Sequence, residues 1–391
     1  MTLQGLTWDH PRAYQPLEAF AQSCPQLQVR WDRQSLADFE ARPIATLAQR
    51  YDLMIIDHPG LGAAIAAQAL QPLDGLVPAE QLAAWQAGSA GPTWASYTVS
   101  SKTVPSNTLP SNRGTAQQWA VPIDAATQVS VLRPDLAGAV PRDWAGVPAM
   151  ARQHRAALCL GGPHAFLTLL GMCASARPGP PSDPLLHPGD AAAAIEILRA
   201  VWREADQEIS VGDPITVHEA MAAGTIAYCP LAYGYASYAR PQPGRHALAW
   251  ADAPGFGSTR PGTVLGGTGL AVSAPRRPDP AEVLRFLTAF LAPEVQTGLV
   301  PAQAGQPALA AAWHSAAVDQ AWGRYYSSTR RSLSAAWVRP RADGWIPLQD
   351  QASALVRAAI TGEVSAAETI TQINARYRAL TQPEPAEAGT T

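Results

Sequence analysis

The tripeptide Asp-His-Pro occurs twice, at residues 9–11 and 57–59, and each copy follows an apolar stretch: Leu3 to Trp8, then Leu53 to Ile56. A carboxylate and an imidazole at a strand end, with a proline fixing the turn, are groups suited to gripping a polar molecule. Asp9 and Asp57 can accept from hydroxyl or ammonium groups, while His10 and His58 can donate or accept. The plainer role is that each Asp caps the following helix and each His packs against its neighbours. Two further uses stay open. Imidazole and carboxylate are zinc ligands, although adjacent side chains on an extended strand point apart, which sets four of them against converging. An Asp–His pair joined by a hydrogen bond is an acid–base device. If the chain is an enzyme, Asp9, His10, Asp57 and His58 are its catalytic candidates.

The elements that must hold these residues alternate. Leu3 to Trp8 reads as a strand, a helix follows through Leu17, Phe20 and Ala21, and a second strand spans Leu27 to Trp31. The run Leu53 to Ile56 has the pattern of a buried parallel strand. This order predicts an α/β fold with an open sheet covered on both faces, whose ligands lie beyond the carboxyl ends of the strands. Both Asp-His-Pro triplets then sit at the ligand edge. Further along, a strand is expected from Trp119 to Ile123 and another from Thr225 to Cys229. Asp190 is expected to cap a helix bearing Ile195, Leu198, Val201 and Trp202, and a helix near Thr216 should end at Gly224. Asp279 caps a helix with Pro280 in its first turn and Val283, Phe286, Leu287 and Phe290 on its buried face. Ser100 to Gly114 reads as an exposed polar loop and the tail beyond Pro383 as disordered.

The 391 residues predict two domain-sized units, and 47% hydrophobic content supplies cores for both. A net charge of -3 leaves no electrostatic footprint for nucleic acid. No run of about 18 apolar residues is present to span a membrane. Cys24, Cys159, Cys173 and Cys229 lack the CxxC spacing of zinc ribbons or thioredoxin-type sites. Cys159 and His164 suggest a nucleophile pair but lack a third member. Gly266 to Gly269 lacks the spacing of a phosphate loop. No metal or cofactor is indicated. Met1 to Trp8 lacks the features of a secretory leader, so either a leader has been removed or the protein is cytoplasmic.

Four motifs in order then carry a resemblance. Tyr51-Asp-Leu-Met-Ile-Ile-Asp57 is followed by Leu70-Gln-Pro-Leu-Asp74, and Trp119-Ala-Val-Pro122 by Val131-Leu-Arg-Pro-Asp-Leu136. Glu219-Ala-Met-Ala-Ala-Gly-Thr-Ile-Ala-Tyr228 comes next. Gly266-Gly-Thr-Gly-Leu-Ala-Val-Ser273 then precedes Phe286-Leu-Thr-Ala-Phe-Leu-Ala-Pro-Glu-Val-Gln296. The set resembles the extracellular solute-binding proteins of ABC importers, the family of maltose- and other sugar-binding proteins.

That resemblance implies a two-lobed, type II periplasmic-binding-protein fold with a ligand cleft between lobes joined by hinge crossings. The crossings would lie near Pro122 to Asp124, Pro261 to Leu265 and Gly305 to Trp313. Residues 1–122 and 262–307 would form lobe 1, and 123–261 and 308–382 lobe 2. It further implies capture of a small polar solute (a sugar, polyol or related compound), an ABC permease as partner, a monomer, and a periplasmic or extracytoplasmic location. A cytoplasmic enzyme on the same scaffold, using the Asp–His pairs, is the alternative. Trp8, Trp119, Asp124, Tyr233, Thr268, Trp337 and Arg339 join the two Asp–His pairs as ligand-binding candidates. Tyr14 is a possible further wall. Against these stand core packing for Trp8, a hinge cap for Asp124 and a solvated surface position for Arg339. Thr268 and Leu231 stand where sugar binders of the family usually place aromatic rings, which removes two stacking platforms.

Overall fold

The apolar run Leu53–Ile56 is buried at the centre of a six-stranded sheet. Leu3–Trp8 pairs with it in parallel, and Val29–Gln34 pairs in parallel with Leu3–Trp8 to form an edge. On the other side runs Gly269–Ser273, antiparallel to Leu53–Ile56, to Leu70–Gln71 and to Ala120–Pro122. The sheet is therefore mixed, and Leu53–Ile56 has only one parallel neighbour. A second sheet is wholly antiparallel: Ala126–Leu132 pairs with Tyr228–Tyr233, Ala249–Ala251 and Leu265–Gly266. Around it pack four helices, His164–Ala176, Pro188–Glu204, Trp345–Thr361 and Ala366–Thr381, through a core that includes Phe166, Ile195, Val356 and Ile373. The computed structural model describes residues 2–35, 38–39, 42–100 and 116–382. The expected polar loop after Ser100 and the expected tail from Pro383 lie outside the described residues.

Two lobes result, and chain segments cross between them side by side. Ile123 and Asp124 both donate their N–H groups to the Thr268 carbonyl, at 3.0 and 3.1 Å, and Ala125 donates to the Gln306 carbonyl at 2.8 Å. The passage from the second sheet to the first falls at Gly267 and Thr268, between Leu265–Gly266 and Gly269–Ser273. Gly267 has φ +89°, and a Cβ there would lie 2.3 Å from the Asp124 carbonyl oxygen, so only glycine fits this crossing.

Several expected boundaries move. Asp190 does not cap its helix; His187 occupies the cap position and Asp190, in the first turn, pairs with Arg177 at 2.5 Å. Asp279 does cap Pro280–Phe290, accepting the Ala281 N–H at 2.9 Å. Pro214–Ala223 is capped by Asp213, which accepts the Thr216 N–H at 2.7 Å. Among the described residues, no single helix is long and apolar enough to cross a membrane.

Candidate functional site

The strand Leu53–Ile56 ends at Asp57, whose Oδ1 accepts the His58 N–H at 2.9 Å and so opens a short 3-10 turn through Pro59. This cap holds the carboxylate at the sheet's carboxyl edge, facing the second lobe. From there Arg339 reaches across, its Nη2 donating to Oδ1 at 3.0 Å and Oδ2 at 2.7 Å. The Arg339 side chain is 4% exposed and that of Asp57 32%. Burial pushes the Asp57 carboxyl up, but Arg339 and His58 outweigh it and hold it at about 2. A charge-assisted contact of this kind joins two lobes only if both ends are positioned. Arg339 is held in part by Gln349, which accepts from Nη1 at 3.3 Å.

A second ion pair lies beside the crossings. His10 caps the helix Pro11–Ser23, its Nδ1 accepting the Arg12 N–H at 3.2 Å. Arg12 then turns inward. Its Nε and Nη2 donate to the two Asp124 oxygens at 2.8 and 2.5 Å, and Nη1 donates to the Gly234 carbonyl at 3.2 Å. The guanidinium also sits over the Tyr235 ring, 4.9 Å from its centroid. Burial opposes the charge on Arg12, yet Asp124 more than offsets it and raises the pKa.

Between the two pairs lies a cavity of about 90 Å³, walled by Trp8, Phe39, Tyr233, Tyr235, His164 and Thr268. His164 is set against Tyr233 edge to face at 5.7 Å, and burial lowers its pKa to about 4, so it is neutral at pH 7. The arrangement offers two carboxylates, two guanidiniums and four aromatic rings around a small space whose wall is more apolar than polar. It can orient a polar molecule without any nucleophile or metal.

Solved structures share the architecture. The maltose-bound T. maritima MalE3 matches with a TM-score of 0.76 at 17% identity, over 96% of this chain and 99% of that one. An ABC transporter solute-binding protein from Agrobacterium radiobacter K84, in complex with ribitol, matches at 0.76 and 15%, over 96% and 98%. The chain has the fold of the ABC-transporter solute-binding proteins. The GacH receptor of Streptomyces glaucescens, solved unliganded and with acarbose, matches at 0.74 and 17%, over 98% of each chain. No family model matches the sequence, and no curated protein matches it.

Within this solute-binding-protein fold, six of the eleven candidates meet at the cavity: Trp8, Asp57, Asp124, Tyr233, Thr268 and Arg339. The others go elsewhere. Asp9 is exposed and lies 3.5 Å from Arg33. His10 stacks on Trp8 at 5.1 Å and lines a neighbouring groove of about 920 Å³, with Glu219, Tyr238 and Trp322. His58 is fully buried behind Asp57, its Nδ1 3.2 Å from Oδ1 without hydrogen-bond alignment. Trp119 packs in the core of the first sheet with Met54 and Ile56. Trp337 donates its indole N–H to the Gly179 carbonyl at 3.0 Å. Tyr14 lies outside the cavity too, under the guanidinium of Arg33.

Neither Asp–His pair is therefore assembled at the cavity as an acid–base device. Among the described residues no three His, Cys, Asp or Glu side chains cluster as a metal site. Cys159 is buried away from the cavity, and burial raises its thiol well above the usual value. Arg12, Phe39, His164 and Tyr235 were not among the eleven. Arg12 carried a signal as the residue directly after the first Asp-His-Pro, and His164 carried one for a different role, as the partner of Cys159.

Proposed function

We propose that the protein is an ABC-importer-type solute-binding protein that holds a small polar solute between its lobes and closes on it. The observation that carries this reading is the Asp57–Arg339 pair, which ties a strand end of one lobe to a segment of the other, 282 positions along the chain. Charged groups that converge on a cleft from both lobes orient a solute and favour closure, because each is satisfied only when the lobes meet. In this reading residues 1–122 and 267–307 form one lobe and 123–266 and 308–382 the other, the boundary expected at 262 moving to the passage at Gly267 because Leu265–Gly266 pairs in the second sheet. Delivery to an ABC permease outside the cytoplasm, by a monomer, belongs to the same proposal. Maltose, ribitol and acarbose accompany the structural neighbours. The solute class proposed here is the same broad one: hydroxyl-rich and small.

A thermal-shift panel of sugars, polyols, sugar acids and amino acids tests it, since a ligand of the folded state raises the melting temperature. A hit should be recovered chemically unchanged. Arg339→Ala should weaken that hit by roughly 100-fold, the loss typical of one buried charge-assisted contact. Conversion of the solute would instead establish an enzyme.

Closure has its own test. A Cβ on Gly62 would lie 2.1 Å from the Arg341 carbonyl oxygen and 2.5 Å from backbone atoms of Ala342 and Asp343. Backbone cannot rotate out of the way, so Gly62→Ala should hold the lobes apart and lower affinity about tenfold. Alanine suits the helix that contains Gly62, so folding should persist. Unchanged affinity in this variant would show that the close approach is not needed for binding.

A further inference from the structure

The cavity and the neighbouring groove are two rooms of one cleft. The groove, of about 920 Å³, is lined by His10, Pro11 and Ala304 from the first lobe and by Ile215, Tyr238 and Trp322 from the second. Both spaces therefore lie between the lobes, yet among the described residues none lines both. Their walls are instead close neighbours along the chain. Arg12 faces the cavity and Pro11 the groove, Pro214 the cavity and Ile215 the groove, Tyr235 the cavity and Ser237 the groove. The partition between the two rooms is thin.

The side chain that fills the partition is His10. Its ring is stacked on Trp8, centroids 5.1 Å and planes 19° apart, and it meets Tyr235 of the other lobe edge on at 5.1 Å. Trp8 and Tyr235 line the cavity, whereas His10 lines the groove. The imidazole is thus the wedge that closes this end of the cavity. Tyr235 is held in place from its own side: Arg12 lies over its ring at 4.9 Å, and His218 packs edge on against it at 5.7 Å.

Size makes the partition decisive. The cavity offers about 90 Å³, the room of roughly three water molecules. The groove falls within the range of about 300–1,000 Å³ typical of small-molecule sites. Its wall suits a neutral hydroxyl-rich chain. Gln15, Gln242 and Gln320 offer amide donors and acceptors, and the charges of Glu219 and Arg245 answer each other at 2.7 Å. We propose that His10 sets the length of the solute: its ring stops a solute at the Trp8–Tyr235 wall, and without that ring a longer chain runs from the cavity into the groove. The proposal rests on the solute-binding reading and adds a specificity-determining residue to it.

Calorimetric titration of the full chain with series of rising length tests it: glucose, maltose and maltotriose, then xylose, xylobiose and xylotriose. In at least one series the native chain should bind the single sugar about tenfold or more tightly than the longer members. His10→Ser removes the ring but keeps an oxygen to cap Pro11–Ser23, and His10→Asn is a second variant of the same kind. Melting curves confirm that each is folded. In both, the ratio of long to short affinity should rise about tenfold. Gln320→Trp, at an exposed position lining the groove, should cancel the rise when added to His10→Ser. Longer members binding the native chain as tightly as the single sugar would overturn the proposal, as would an unchanged ratio in the folded variants. A rise that survives Gln320→Trp would overturn the groove as the place of the longer chain. Failure of both series to bind overturns the proposal but leaves the solute-binding reading standing where another solute of the panel binds. Failure of the whole panel overturns that reading as well.

Discussion

Lowering the pH from about 7 to about 4 is expected to destabilise the protein steeply, before its lowest carboxylate titrates. His58, His164 and His218 are buried, and burial is the largest cause holding each ring neutral. It lowers His58 and His164 from 6.5 to about 4, and His218 to about 3. Arg339 and Arg341 act on His58 in the same sense and Asp57 opposes them, while Asp213 opposes burial at His164 and His218. The unfolded chain takes up these protons near 6.5 but the folded chain does not until near 4. Stability is therefore full above 6.5 and falls as pH drops through that window.

At about 1.4 kcal/mol per pKa unit, each ring removes roughly 3 kcal/mol by the bottom of the window. Three such rings rival a whole domain stability of about 5–15 kcal/mol. Asp57 acts lower: its pKa is depressed from 3.8 to about 2, so its contribution persists above 3.8 and is lost only toward 2. Urea unfolding at several pH values between neutrality and 4 measures the loss. His218→Phe, which suits the ring cage of Tyr235, Tyr238 and Trp250, should recover about a quarter of it, because burial holds His10 down to about 4 as well and a fourth ring titrates in the same window. A flat stability profile above pH 4.5 would show that these rings are not held neutral.

The parts of the fold legible in the sequence are those set by local pattern. Leu3–Trp8 and Leu53–Ile56 form as their apolar runs predict, and Asp279 with Pro280 marks the start of its helix. Long-range pairing moved the rest. The strand expected at Thr225 to Cys229 lies at Tyr228–Tyr233 because Pro230 does not end it. A register shift between Val129 and Val131 on the partner strand falls opposite Pro230, which has no N–H to contribute to the ladder. The strand expected to stop at Trp31 continues through Asp32 and Arg33, since an edge strand can carry polar residues toward solvent.

The site was legible in half. Identical Asp-His-Pro triplets stand at the ends of neighbouring parallel strands, yet one carboxylate faces the cavity and the other faces solvent. What separates them is the partner: Asp9 stays exposed, 3.5 Å from an Arg33 that bonds Glu18 more closely, while Arg339 from across the cleft takes Asp57. No local pattern encodes a partner hundreds of residues away. His58 shows the complementary limit, since adjacency to a cavity residue placed it one layer behind the cavity.

Arg12→Ala should cost about 3–5 kcal/mol, the loss typical when one partner of a buried ion pair is removed. Arg12 is 4% exposed and Asp124 12%, so the abandoned carboxylate cannot be rescued by full solvation. The Gly234 carbonyl loses its Arg12 donor, and Tyr235 loses the cation above its ring. Alanine's helix propensity returns a few tenths of a kcal/mol at most in the first turn of Pro11–Ser23, far less than the loss. Urea unfolding of the single variant measures the penalty. The double variant Arg12→Met with Asp124→Leu should recover most of it, because apolar side chains of similar volume avoid the desolvation that the ion pair must offset. Recovery would show that the pair is retained for what it places at the cavity beside the crossings, not for stability. Equal destabilisation in the single and double variants would mean instead that the cost lies in the contacts Arg12 makes with the Gly234 carbonyl and the Tyr235 ring, not in an abandoned charge.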